Sequence, residues 1–209
     1  MNQWQQVIST EAELRQILGD PTESQLTKCI GHLDTHCRAW IERCPFVVIC
    51  SSDASGTMDV SPKGDPPGFV RVLDDRTLIV PDRRGNRRAD TFLNVLQNPN
   101  VAMIFLMPRR GETLRVSGKA RIVRDDELLS QMAVRDNRPQ LALEVTVSQA
   151  MFHCGKSMIR SKLWNPEQWP GIIGLPSYAQ VLADQSTTSE TVEEMERKHA
   201  SFEERGTLY

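Results

Sequence analysis

Four arginines crowd into Asp82-Arg-Arg-Gly-Asn-Arg-Arg88, between an apolar run at Leu78–Val80 and a second apolar pattern at Ala89, Phe92, Leu93, Val95 and Leu96. The second pattern repeats at three and four, which is helical spacing, and the first reads as a short strand. The stretch 78–91 therefore reads strand, basic turn, helix. Asn86 is the expected N-cap, and Gly85 is placed to take the positive φ such a turn often needs. Free N–H groups at a helix start, the helix dipole and the four guanidinium groups of Arg83, Arg84, Arg87 and Arg88 would converge on one point. That is chemistry for holding a phosphate. Taken alone, a basic turn is more often a solvated loop.

Other polar residues sharpen the case. Ser61 and Lys63 end one strand, and Thr113 and Arg115 lie in another. An arginine within an alternating β-branched strand is costly unless it is paired. In an antiparallel barrel these strand ends can lie beside the basic turn. Competing chemistries are weaker. His32 and His36 stand at i and i+4, with Cys29 and Cys37 nearby, but Cys37 falls on an apolar stripe and no second ligand pair follows. A packed helix with surface histidines is expected, with no metal site. Ser61, His153 and Cys154 lack a G-x-S-x-G elbow or a cysteine-protease signature. Neither G-x-x-x-x-G-K-[ST] nor G-x-G-x-x-G occurs, so a P-loop or Rossmann cradle is not expected.

The elements that must position these groups follow in chain order. A short amphipathic helix spans 9–19, and a longer one runs from Glu23 to Arg43 with Leu26, Ile30, Leu33, Cys37, Trp40, Ile41 and Cys44 on one stripe. Pro45 ends it. Strands follow at 46–50, 57–61, 69–73 and 77–80, with a Pro/Gly loop at 62–68. After the basic turn and its helix come strands at 101–107 and 112–124, where Gly118 marks a bulge or bend. A helix is expected at 125–134, a last strand at 141–152 and a short basic helix at 156–164. Pro166, Pro170, Gly171, Gly174 and Pro176 form an irregular connector. Helices at 177–183 and 190–204 end the pattern; the last is charged, either an arm on a partner subunit or a solvated tail. Sequential antiparallel strands argue against a parallel doubly wound sheet and for a barrel decorated by helices.

Composition bounds the partners. The chain has 209 residues and a formal net charge of -2. That suits one domain, with N-terminal helices over 1–45, a barrel over 46–155 and a helical arm over 156–209. The balance is wrong for a nucleic-acid binder and fits a small anionic ligand. No secretory signal or membrane span is expected. Five cysteines without a C-x-x-C pair suit a reduced cytoplasmic protein.

The ordered segments SPKGDPPGFV (61–70), VPDRRGNRRADTFLNVLQNP (80–99), GETLRVSGKARI (111–122) and HCGKSMIRSKLW (153–164), with the terminal LY, resemble the pyridoxamine 5′-phosphate oxidase-related split barrels, in particular the group labelled probable FMN-dependent enzymes. The resemblance implies a mainly β, α+β fold: an antiparallel split β-barrel of six to seven strands flanked by N- and C-terminal helices. It also implies FMN held at the interface of a homodimer. Lys63 matches the lysine that contacts FMN, Val80-Pro81 the dipeptide against the flavin, and Arg87-Arg88 the basic pair on the phosphate. Thr113 matches the polar residue near the ring system, with Arg115 close by. Arg160 and Trp164 are the candidates contributed by the second subunit; Ser61, Arg84 and Asn86 complete the expected set. The resemblance implies an FMN-dependent oxidoreductase acting on a small molecule other than pyridoxamine phosphate, because the terminal R-x-H strand of true pyridoxamine-phosphate oxidases is replaced by an acidic helix. A non-catalytic flavin binder is the alternative, as is a split barrel for haem, with His32 or His153 as ligand, or for a deazaflavin.

Overall fold

A computed structural model describes residues 6–204; the terminal LY lies outside them. Seven antiparallel strands form one sheet: β1 (Phe46–Ser52), β2 (Met58–Gly64), β3 (Arg71–Val72), β4 (Thr77–Pro81), β5 (Asn100–Leu106), β6 (Thr113–Val123) and β7 (Ala142–His153). Their order is β2-β1-β5-β6-β7-β4-β3, so β2 and β3 are free edges and the sheet is an open, split barrel. Helix α4 (Asp90–Gln97) packs on β1 and β2 between β4 and β5, and α5 (Asp126–Gln131) connects β6 to β7.

Alternation explains the core. Val47 and Ile49 of β1, Met103 and Phe105 of β5, Leu114 and Val116 of β6 and Val145 and Val147 of β7 all turn to one side and are buried. A smaller cluster of Ile79, Leu129, Met132 and Ala142 sits beneath α5. Gly118 falls at the expected bulge in the β6–β7 pairing. A β-carbon there would come 2.1 Å from the carbonyl oxygen of Thr146. Only glycine lets the two strands approach so closely.

The N-terminal helices differ from expectation. α1 (Glu11–Leu18) forms with Thr10 and Glu13 as a capping box and stops at Gly19. The stretch from Glu23 to Arg43 is two helices, α2 (Glu23–Thr27) and α3 (Thr35–Ile41). Between them Ile30 pairs with Ala150 of β7 through two backbone hydrogen bonds, at 3.0 and 2.8 Å. Asp34 then caps α3, accepting from the Cys37 amide at 2.8 Å. Strand pairing and a fresh cap displace the continuous helix. His32 falls in the link, so His32 and His36 do not share a helical face. The apolar positions Leu33, Cys37, Ile41 and Cys44 still close one end of the barrel.

β2 also runs further than its pattern suggested. Pro62 and Lys63 belong to the strand, not to the following loop. Pro62 is tolerated because β2 is an edge strand. At the C-terminus, α6 (Lys156–Ser161) and a 3-10 turn (Pro166–Gln168) lead to α7 (Tyr178–Gln185) and α8 (Val192–Glu204). The last helix is neither a bare tail nor isolated: Met195 of α8 and Ala179 of α7 are buried, and the rings of Tyr178 and His199 lie 5.0 Å apart.

Gly118→Ala is expected to destabilise the fold by about 2–3 kcal/mol, since the added carbon meets backbone that cannot yield. Urea unfolding of this variant beside Gly171→Ala, where a β-carbon meets nothing within 4 Å, measures the difference.

Candidate functional site

Lys63 is paired with Val47, which faces the core, so the inner face of β2 carries Asp59, Ser61 and Lys63 in a row. Helix α4 lies across this row. Three side chains at i, i+3 and i+7 tie it down. The Thr91 hydroxyl donates to Asp59 at 3.3 Å, Asn94 donates to the Ser51 hydroxyl at 3.0 Å, and Asn98 donates to the Ser52 hydroxyl at 2.7 Å. Val80 and Pro81 come in from β4. Ile49, Lys63, Val80, Pro81, Asp82, Thr91, Phe92 and Leu143 line one cleft.

The basic turn joins two residues of this lining, Asp82 and Thr91, but its details depart from expectation. α4 starts at Asp90, and its N-cap is Ala89 in the left-handed region (φ 58°), not Asn86. Asn86 instead makes a local turn, accepting from the Arg88 amide at 3.0 Å. Positive φ falls on Arg87 (61°) and Ala89 rather than on Gly85. Left-handed backbone at non-glycine residues costs energy and gathers at ligand-holding loops. Arg84, Arg87 and Arg88 are exposed; Arg88 pairs with Asp90 at 2.8 Å, which pushes its pKa further up. Arg83 plays another part. It is largely buried, bound to Asp65 at 2.5 Å, and donates to the Met132 carbonyl at 2.9 Å. Arg83 clamps the turn to the 65–69 loop and α5, and also faces a second cavity of about 140 Å³ lined by Phe69 and Arg71.

Asp82 was not among the expected site residues. It is half-buried in the cleft, and burial raises its pKa against the opposing pull of the Lys63 and Arg83 charges. Asp59 and Thr91 were missed as well. The alternation from Asp59 through Ser61 to Lys63 was the signal that places the three on one face.

The remaining expected residues lie elsewhere in the chain. Lys63, Val47, Phe105 and Leu114 form one row across β2, β1, β5 and β6. Thr113 and Arg115 leave β6 on the opposite face. Thr113 pairs with His153, whereas Pro81 pairs with Ala142, eleven residues back along β7 and roughly 36 Å of strand. Trp164 donates from its indole nitrogen to the Arg110 carbonyl at 2.7 Å, on the β5–β6 turn, and Arg160 is exposed on α6. Within one chain the expected set therefore divides into two groups: Ser61, Lys63, Val80, Pro81, Arg84, Asn86, Arg87 and Arg88 near the cleft, and Thr113, Arg115, Arg160 and Trp164 apart from it.

Comparison with known proteins bears on what this cleft is for. The family model described as pyridoxamine 5′-phosphate oxidase matches residues 33–154, from the barrel-capping helix to the end of the last strand. The chain belongs to the pyridoxamine 5′-phosphate oxidase family. No curated protein matches it significantly. Among solved structures, HupZ of Group A Streptococcus is 19% identical, with 57% of this chain and 92% of that chain covered and a TM-score of 0.48. An FMN-binding protein of Syntrophomonas wolfei is 12% identical, with coverage of 55% and 82% and a TM-score of 0.43. The heme storage protein HutZ of Vibrio cholerae is 15% identical, with coverage of 58% and 94% and a TM-score of 0.42. Among the described residues no helix is long and apolar enough to cross a membrane, and no group of three or more His, Cys, Asp or Glu residues is placed to hold a metal ion.

Asp82 gives this family member a pH-dependent term in stability. Its folded pKa is raised, so the stability it contributes is fully present below the unfolded carboxylate pKa and is lost as pH rises through the folded value. Asp82→Asn is expected to match wild type in strongly acid conditions and to exceed it in stability near neutral pH. Unfolding midpoints of the two proteins across the acid range check this.

Proposed function

We propose that two copies of the chain hold FMN between them and act as an oxidoreductase on a small molecule. The observation that carries this reading is a cleft lined by Lys63, Val80, Pro81, Asp82 and Thr91, with the exposed Arg84, Arg87 and Arg88 in the turn that joins Asp82 to Thr91, all within the segment the family model matches.

The chain's own groups fit a phosphorylated flavin. The turn at 84–88 offers charge-assisted donors for a phosphate, beside the start of α4. Lys63 stands across the cleft from Val80 and Pro81, an arrangement for an apolar ring edge with a cation near it. FMN, when bound, would supply two-electron chemistry at its N5 atom. Lys63 would place positive charge where electron density rises on reduction, and so favour the reduced form.

Two observations support a homodimer. The cleft in one chain encloses only about 10 Å³, about one water molecule and too little for a flavin. The outer face of the sheet also exposes Met58 and Val60 beside Val48, Cys50 and Ile104. Arg115 and Thr113 share that outer face, and the Thr113 hydroxyl is buried without a hydrogen-bond partner. A second copy laid on this face would bring the exposed Arg115 of one chain toward the cleft of the other. Haem has less support: His32 and His153 are exposed, and the cleft lining contains no histidine.

Arg87→Ala combined with Arg88→Ala is expected to weaken FMN binding about 10- to 100-fold, the loss of one to two charge-assisted hydrogen bonds. Riboflavin, which lacks the phosphate, should lose less than about 3-fold. Flavin fluorescence titrations of both proteins with both ligands make the comparison. Equal losses would assign the pair a structural role.

A further inference from the structure

Asp82 stands at a junction in the chain. Before it, Val80 and Pro81 line the cleft; after it, the basic turn runs from Arg83 to Arg88. Successive residues of extended chain point to opposite sides. Asp82 accordingly faces the cleft with Lys63, Thr91 and Phe92, while Arg83 turns away to Asp65 and the second cavity. The backbone here is held in place. The Asp82 amide donates to the Leu141 carbonyl at 2.9 Å, and Pro81 pairs with Ala142 of β7. The side chain is the unusual part. It is half-buried, yet among the described residues its carboxyl makes no hydrogen bond and no ion pair. The charges that act on it are Lys63 of β2 and Arg83 beside it; Asp59 of β2 is engaged by Thr91. Partly desolvated carboxyl groups are ordinarily paired. One that is left unpaired inside a cleft, and that costs stability when ionised, marks a functional site.

We infer that Asp82 is the acceptor for a hydroxyl of the cofactor's ribityl chain, the polyhydroxyl link between flavin ring and phosphate. The inference rests on the FMN reading above and adds to it the residue that reads the middle of the molecule. An ionised carboxyl only accepts hydrogen bonds, so its ligand must offer donors. A phosphate is repelled by it, and an apolar ring face offers it nothing. A ligand that reaches from Val80-Pro81 to Arg84, Arg87 and Arg88 has its middle at Asp82, because the chain runs in that order. In FMN that middle is a row of hydroxyl donors. A hydroxyl bonded to an ionised carboxyl makes a charge-assisted bond, roughly twice as strong as a neutral one. Lys63 and Arg83 favour that ionised form. The competing donor is the imide N–H of the flavin ring, which lumiflavin retains although it lacks the ribityl chain.

The test titrates the purified full-length protein with FMN, riboflavin and lumiflavin, read by flavin fluorescence. Riboflavin keeps the ribityl chain without the phosphate; lumiflavin keeps the ring alone. Wild type is expected to bind riboflavin about 10- to 100-fold more tightly than lumiflavin, the worth of one charge-assisted hydrogen bond. Asp82→Ala should cut that preference to less than about 3-fold, through loss of riboflavin, with lumiflavin affinity changed by less than about 3-fold. FMN should weaken by about the same factor as riboflavin. A pH series adds a readout that a structural role does not move. Riboflavin is uncharged from acid to neutral pH, and it is bound by the ionised carboxyl. Its affinity for wild type should therefore rise with pH through the raised pKa of Asp82 and then level off. Asp82→Asn should abolish this rise. Thermal midpoints of both variants near neutral pH are expected at or above wild type, so that lost riboflavin affinity does not come from unfolding. An undiminished preference in Asp82→Ala, equal losses of riboflavin and lumiflavin, or a rise with pH that survives in Asp82→Asn overturns the assignment and leaves the FMN reading standing. So does a wild type that holds FMN but does not prefer riboflavin to lumiflavin. A wild type that binds neither FMN nor riboflavin overturns both.

Discussion

The site depends on how α4 is fastened to the sheet. Thr91, Asn94 and Asn98 recur along one helical face and bond to Asp59, Ser51 and Ser52 on two neighbouring strands. Ser51 and Thr91 are buried, so leaving either without its partner would incur a desolvation penalty. Polar pairing of this kind is directional. It fixes the helix along its axis and about it, which apolar packing at Val95 alone would not do. Because the helix is fixed, its N-terminus is fixed, and with it the end of the basic turn that joins Asp82 to Thr91 of the cleft. The Arg83–Asp65 pair holds the other end of the same turn. The turn is thus clamped on both sides while Arg84, Arg87 and Arg88 stay exposed between the clamps.

A second constraint is the two-residue period of a strand. It sends Asp59, Ser61 and Lys63 inward, and it sends Thr113 and Arg115 outward with Ile104. Within one chain the two sets lie on opposite faces of the sheet. The division is consistent with the small cleft and with the apolar residues left on the outer face. On the proposed reading, the barrel supplies one wall of the site, and the outer face of a second barrel supplies the other.

Much of this was legible in the residues. Alternation and turn chemistry located the strands, the bulge at Gly118 and the helix after the basic turn, and the ordered motifs pointed to the family. The errors have physical sources. The apolar stripe from Glu23 to Arg43 suggested one helix because periodicity does not register a competing strand pairing such as Ile30 with Ala150. Pro62 read as a loop residue because edge position is a property of the whole sheet, not of the local sequence. Asn86 looked like a cap, yet the helix start is displaced to Asp90 by left-handed backbone at Arg87 and Ala89, which side-chain type does not announce. Arg83 read as one more arginine of the basic turn. Its partner Asp65 lies in a separate loop, and the ion pair exists only once both loops are folded. The split of the site between two faces was implicit in the alternation, but the sheet order was needed to show which faces meet.

Native mass spectrometry of the purified protein titrated with FMN tests the central claim most directly, since it reports chain number and ligand number together. The account predicts a dimer that takes up two FMN molecules, with none retained on the monomer. A monomer that holds FMN by itself, or a folded dimer that takes up none, would contradict it.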